Sequence, residues 1–210
     1  FQIGKWERAE ASYLEGLACL ICLFNIDKEG YPARIEEVTV QKITKYADKI
    51  IEYLQSTNAA ESMGALTHEE FKTGDFQGKD IALSLSDFLN NLGAVKYVKK
   101  ELKSSLALHQ KALELRIILK SDVSYEVAES YQNLSSVNDA LEQFNEAESQ
   151  LRNAIEIQTK CHTEESIEAS SMFNNLAVLY AHMGRLGEAE RILKSVISRR
   201  LAVFGPTHRL

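Results

Sequence analysis

The chain has 210 residues, 45% of them apolar and 26% charged, with a formal net charge of −6; this is the balance of a globular protein, and it excludes disordered, collagen-like and membrane-spanning classes. An acidic surface offers phosphates no counterion release, so neither nucleic acid nor an anionic membrane is an expected partner. Two prolines and ten glycines are too few for the turns of an all-β protein, which makes helix the expected state.

Residues 1–24 open with Ala9, Tyr13 and Gly16 on one helical face, the pattern of the second helix of a hairpin whose first helix precedes Phe1. The chain begins without methionine and within a repeat, and is read as an excised piece. Glu7, Glu10 and Glu15 stand where a signal peptide needs basic residues, and the apolar run Leu17 to Phe24 is too short to span a bilayer. Cys19 and Cys22 fall inside that run. A redox pair needs an exposed thiolate and a zinc site needs a second ligand pair, so both are expected as buried thiols that act as small hydrophobes. Three cysteines, an odd number, point to a reducing, cytoplasmic compartment. Over residues 25–80 the spacing of Arg34 to Leu54 remains helical, and this stretch is read as one degenerate unit. Its tail, Ser56 to Asp80, holds Gly64, Gly74 and Gly78 and reads as an extended loop carrying a short helix.

From residue 81 the sequence repeats every 42 residues: Asn90-Asn91-Leu92, Gln132-Asn133-Leu134 and Asn174-Asn175-Leu176 align, as do Leu102, Phe144 and Leu186, then Ser105, Ala147 and Ala189. Units are expected at 81–122, 123–164 and 165–204, with 205–210 starting another. Ala147, Leu151, Ala154 and Ile155 make the apolar stripe of an amphipathic helix, and a preceding helix is expected from about Glu126 to Leu141. Each unit is therefore a helical hairpin. Small residues at Gly93, Ser135 and Ala177, facing Ala147 and Ala189, let the paired backbones approach closely. Gly184 is the residue able to close the third turn in a left-handed conformation; Lys100 and Glu142 replace it in the other two units.

The stretches Phe173-Asn-Asn-Leu-Ala-Val-Leu-Tyr180 and Met183-Gly-Arg-Leu-Gly-Glu-Ala-Glu190, followed by Phe204-Gly-Pro-Thr-His208, resemble the tetratricopeptide repeat, in the 42-residue form of kinesin light chain-like proteins. The resemblance covers residues 81–204, with Lys96 and Asn138 in place of Tyr180. It implies an all-α, right-handed solenoid of stacked hairpins, since a hairpin with one apolar stripe cannot bury it alone. First helices would form the inner wall, lined by Asn90, Asn91, Ala94 and Tyr97, then Gln132, Asn133, Ser136 and Asp139, then Asn174, Asn175, Val178, Ala181 and His182. The asparagine ladder at 91, 133 and 175 has two readings. Amides donate and accept, so it suits the main chain of an extended peptide, the contact the resemblance implies; it also suits bonds to a neighbouring hairpin.

The wall lacks the ring of Lys and Arg that clamps an acidic chain terminus. Lys96, Lys99 and Lys100 read as a solvated helix end, and Arg191, Arg199 and Arg200 as facing solvent or a further unit. Of the histidines, His109 shares the core register of Leu151 and Leu193 and reads as packed, while His68-Glu69-Glu70 lacks the second histidine of a zinc protease motif. No phosphate loop or dinucleotide pattern occurs, so neither catalysis, metal nor cofactor is expected. The expected partner is a protein or peptide, captured as kinesin light chain-like adaptors capture cargo. The alternatives are a regulatory segment folding against its own larger chain and self-association through uncapped solenoid ends.

Overall fold

The computed structural model describes residues 6–10, 12–13, 40–56, 78–120, 123–161 and 167–204. Regular structure among them is helical: α1 (Val40–Ser56), α2 (Gly78–Val98), α3 (Leu102–Leu119), α4 (Tyr125–Ala140), α5 (Phe144–Cys161), α6 (Ile167–His182) and α7 (Leu186–Phe204), with a further helical stretch at 6–10 and 12–13. Cys19, Cys22, His68, His162 and His208, and the parts of the degenerate unit outside α1 and the start of α2, lie outside the described residues. The helices group into two bodies, Phe1–Ser121 and Asp122–Leu210.

In the first body α2 and α3 form a hairpin and α1 lies on α3. Three apolar stripes meet in one core: Ile43, Ala47 and Ile51 of α1, Ala82, Leu85, Leu89 and Leu92 of α2, and Leu108, Ala112, Leu115 and Leu119 of α3. The spacings are those of one helical face each, so burial against the other two elements is what selects the helix. Residues of the stretches at 6–10 and 12–13 contact α2 and the turn after it. Tyr13 meets Phe88 edge-on at 6.1 Å, and the Glu10 carboxylate bridges Lys96 and Lys99, the latter at 2.6 Å. Lys96 also bonds Glu101 at 2.8 Å and is only 8% exposed. The solvated helix end expected for Lys96 and Lys99 is thus corrected: these ammonium groups are tethered to a carboxylate far away in sequence. Burial would lower the pKa of Lys96, but the bonds to Glu10 and Glu101 prevail and hold it above the usual lysine value.

The second body stacks two hairpins, α4–α5 and α6–α7, with α5 against α6. Ser124 caps α4, its hydroxyl accepting from the Val127 amide at 3.3 Å. Between the hairpins Ala147, Leu151 and Ala154 are buried in one core with Met172, Leu176, Leu179 and Tyr180. Along the edge of this core Glu148 gathers the donors of both hairpins: Arg152 at 2.8 Å, the Tyr180 hydroxyl at 2.8 Å and Arg185 at 2.7 Å. Arg185 also lies over the Tyr180 ring, 4.1 Å from its centroid, a cation–π contact. Burial would raise the Glu148 pKa, and the three donors outweigh it, so the carboxyl sits below its ordinary value.

Close approach within the hairpins rests on the small residues. In α2–α3 the Ser105 hydroxyl donates to the Gly93 carbonyl at 2.8 Å, and in α4–α5 the Ser135 hydroxyl donates to the Ala147 carbonyl at 2.8 Å. These are the same two repeat positions with the serine moved to the opposite helix. All three turns close in the same way. Lys100, Glu142 and Gly184 have φ of 65°, 61° and 74°, and the following residues Glu101, Gln143 and Arg185 donate their amides back to Lys96, Asn138 and Tyr180 at 2.9, 2.8 and 2.8 Å. This is the paired-bond helix stop that normally uses glycine. A side chain in this conformation is strained by roughly 1–2 kcal/mol, partly offset by the lower unfolded-state entropy of a non-glycine residue. Glu142→Gly is therefore expected to stabilise the protein by about 0.5–1 kcal/mol, seen as a raised urea midpoint; a lowered midpoint would refute the strain.

Candidate functional site

There are two candidate surfaces, one on the first helix α2 of the first body and one on the first helices α4 and α6 of the second. On α2, Asn91 and Ala94 are exposed and Tyr97 is half-buried, with the Lys100 ammonium 5.8 Å from the centroid of its ring. Asn90 requires a correction. It is 6% exposed, and its Oδ1 stands 3.0 Å from Nδ1 of His109 on α3, so it lies inside the hairpin and not on the open face. A polar ring in a core register needs a polar partner, and Asn90 supplies one.

On α4, Gln132, Asn133, Ser136 and Asp139 are half-buried, with the Ser136 hydroxyl donating to the Gln132 carbonyl at 3.1 Å. On α6, Asn174 and Asn175 are half-buried and Val178, Ala181 and His182 exposed. Two predicted residues meet here: Nδ1 of His182 reaches the Asp139 carboxylate at 2.8 and 2.9 Å, linking the last turns of adjacent first helices. With Nδ1–H donated to the acid, Nε2 is the ring atom left for other partners. A cavity of about 340 Å³ opens at the turn between α4 and α5, with Glu142, Phe144, Glu146, His182 and Met183 among its walls.

Asn138, at the register of Tyr180, is buried and donates to Gln150 Oε1 at 2.8 Å. Arg199, expected to face solvent or a further unit, is instead half-buried with its guanidinium 5.4 Å from the Phe173 centroid, whereas Arg191 is exposed. Among the described residues there is no group of three or more His, Cys, Asp or Glu side chains able to hold a metal. No described helix is long and apolar enough to cross a membrane.

Helical hairpins of one repeat length, closed by one turn type and, in the second body, stacked second helix to first, are the units of an α-solenoid. Residues 84–160 and 170–210 each match a family model described as tetratricopeptide repeat, together more than half of the chain. The chain belongs to the tetratricopeptide repeat family. No curated protein matches the sequence. Among solved structures it is similar to BtubC (BKLC) from P. vanneervenii, at 18% identity over 97% of this chain and 77% of that one, with a TM-score of 0.57. It is likewise similar to a Podosopora anserina protein with nearly identical, kinesin light chain TPR-like repeats, at 17% identity over 80% of this chain and 78% of that one, TM-score 0.54. A second crystal structure of those repeats covers 96% of this chain and 90% of that one at 18% identity, TM-score 0.53. At such identities the likeness is one of fold, and the fold is that of kinesin light chain-like repeat proteins.

Proposed function

We propose that the protein binds an extended segment of a partner polypeptide on the outward faces of its first helices. Membership of the repeat family supports an interaction scaffold in general; the observation that carries the finer reading is the asparagine recurring at one register on α2, α4 and α6. Three residues further on stand Ala94, Ser136 and Val178, short side chains that leave the amides within reach of a ligand. Each amide offers donors and an acceptor to the carbonyl and N–H of a passing main chain, so Asn133 and Asn175 on one body, and Asn91 on the other, each suit a peptide main chain whatever its sequence. Gln132 and Asn174 extend the polar lining. Selectivity falls to the neighbours: exposed Val178 and Ala94 take small apolar side chains, Tyr97 presents a ring, and the Asp139–His182 pair offers Nε2 as an acceptor to a ligand N–H or O–H. Ordering an extended ligand costs entropy, so modest affinity is expected. The reading includes residence in the cytoplasm, where a protein with an odd number of cysteines keeps its thiols reduced.

The test is peptide display from disordered protein segments, run in parallel on the wild type and on Asn91→Ala/Asn133→Ala/Asn175→Ala, with circular dichroism to establish that the variant folds. Peptides enriched on the wild type and lost on the folded variant are the expected result. Peptides that survive all three changes, or a variant altered only in melting temperature with no peptide binding to either protein, would overturn it.

A further inference from the structure

The two hairpin turns of the second body differ in how they treat one acid. In the turn before α7 the Arg185 guanidinium holds the Glu188 carboxylate, with Nε at 2.8 Å and Nη2 at 2.5 Å. One repeat earlier, in the turn before α5, the acid is kept as Glu146 but the arginine is Gln143, an amide that brings no charge. Glu142, at the register of Gly184, adds a second carboxylate. Both glutamates are exposed, and among the described residues neither side chain has a cationic partner. Both line the cavity of about 340 Å³ at this turn, together with Gln143, Phe144, Met183 and His182.

The occupant of this cavity has to bring the charge that the turn lacks. Two carboxylates repel an anion. The described residues include no group of three or more His, Cys, Asp or Glu side chains able to hold a metal, so the cation is an organic one. The volume lies at the low end of ligand sites, which run from about 300 to 1,000 Å³, and suits one long side chain. The walls have the two characters of arginine: Phe144 and Met183 suit its methylenes and the flat face of a guanidinium, while the carboxylates accept its forked N–H donors. His182, whose Nδ1 is bonded to Asp139, has Nε2 left as a further acceptor. The positive end of the α5 dipole, about half a charge, opposes a cation at this turn, and two carboxylates outweigh it. We propose that the cavity is the pocket for an arginine side chain of the bound partner segment, whose guanidinium does at Glu146 what Arg185 does at Glu188. The inference rests on the reading that α4 and α6 carry an extended peptide, since His182 belongs both to that face and to the cavity wall. It adds to that reading the one residue the peptide has to contain. Lysine is the poorer occupant, because a point charge can neither fork onto a carboxylate nor lie flat on a ring.

The probe is Nα-acetyl-L-arginine N-methylamide, a blocked arginine too short to need the peptide face, with the matching citrulline derivative as its uncharged isostere. Each is titrated into the isotope-labelled full chain and followed by amide chemical shifts. Saturable shifts centred on residues 142–146 and 182–183 are expected for the arginine derivative, with a dissociation constant in the millimolar range. The citrulline derivative, and the variant Glu142→Gln/Glu146→Gln, should each weaken binding at least about fivefold. Gln143→Arg, which gives Glu146 the partner that Glu188 has, should abolish it. All three altered positions are exposed, and the amide spectrum itself reports whether each variant folds. The proposal is overturned by the absence of saturable shifts, by equal shifts at the exposed Glu156 and Glu190, by equal binding of the citrulline derivative, or by unchanged binding to either variant. In the peptide display, an arginine should recur at one position of the peptides selected on the wild type and lose its enrichment on Glu142→Gln/Glu146→Gln; peptides held through the asparagines with no recurring arginine would also overturn it. Asn133→Ala/Asn175→Ala should bind the blocked arginine as the wild type does, so failure of the pocket and failure of the peptide-face reading are distinguishable.

Discussion

Lowering the pH from 7 to about 4 is expected to remove about 3 kcal/mol of folding stability through His109 alone. The imidazole is 2% exposed; burial, reinforced by the charge of Arg116, pushes its pKa from 6.5 down to about 4. With Asn90 Oδ1 accepting from Nδ1, the folded protein holds a neutral ring. The unfolded chain takes up a proton below pH 6.5 that the folded chain refuses until about pH 4. Stability from this residue is therefore complete above pH 6.5, falls by about 1.4 kcal/mol per pH unit through that window and levels off below it. The carboxylates act later. Glu148 and Glu10 have pKa values held below the ordinary 4.5, so their contribution is lost as pH falls through those depressed values. Urea unfolding at pH 7, 6, 5 and 4.5 separates the two: His109→Gln, which retains a donor for Asn90 and does not titrate, should flatten the slope above pH 4.5. Equal slopes in wild type and variant would refute the assignment.

The 42-residue register disclosed the hairpins because it is written in side-chain size, and size is what packing reads. The same register announced the left-handed turn at Gly184 but not at Lys100 and Glu142. Glycine signals that conformation by its chemistry, whereas a lysine or glutamate held there by two main-chain bonds looks like any polar turn residue. Asn90 and Asn91 show the limit within one helix. Neighbouring residues point about 100° apart, and which of them is buried was decided by His109, a polar ring at a leucine register whose need for a partner was legible but whose partner was not named. The Glu148–Tyr180–Arg185 cluster and the Glu10–Lys96 bridge join different hairpins. The intervening stretch between Glu10 and Lys96 breaks the register that would have aligned the two clusters, so only coordinates bring them together. Of the candidate face, the asparagine positions were readable from the repeat, while the Asp139–His182 bond needed the spacing between adjacent first helices.

Gly93→Ala is expected to destabilise the protein by about 1–2 kcal/mol, although alanine is the better helix former. A methyl group on Gly93 would fall 2.8 Å from Nε2, 2.9 Å from Cε1 and 3.0 Å from Cδ2 of His109. The ring cannot yield cheaply, since it is buried and bonded to Asn90. Overpacking of this kind costs about 1–3 kcal/mol, from which the helix-propensity gain of up to about 1 kcal/mol is subtracted. The other repeats supply the compensating change. Ser135 stands at the register of Gly93 where Leu151 replaces His109, and Ala177 where Leu193 does, so a larger residue on the first helix accompanies leucine on the second. In a His109→Leu background, whose own loss of the Asn90 bond sets the baseline, adding Gly93→Ala should be neutral or stabilising. Urea denaturation of the four proteins closes the cycle, with an expected coupling of about 1–3 kcal/mol. Additive effects would show that Gly93 is fixed by something other than the ring. The coupling would instead mean that glycine and histidine hold their positions as a pair, and that the hairpin which departs from the repeat at both gains from the exchange the pH sensitivity derived above.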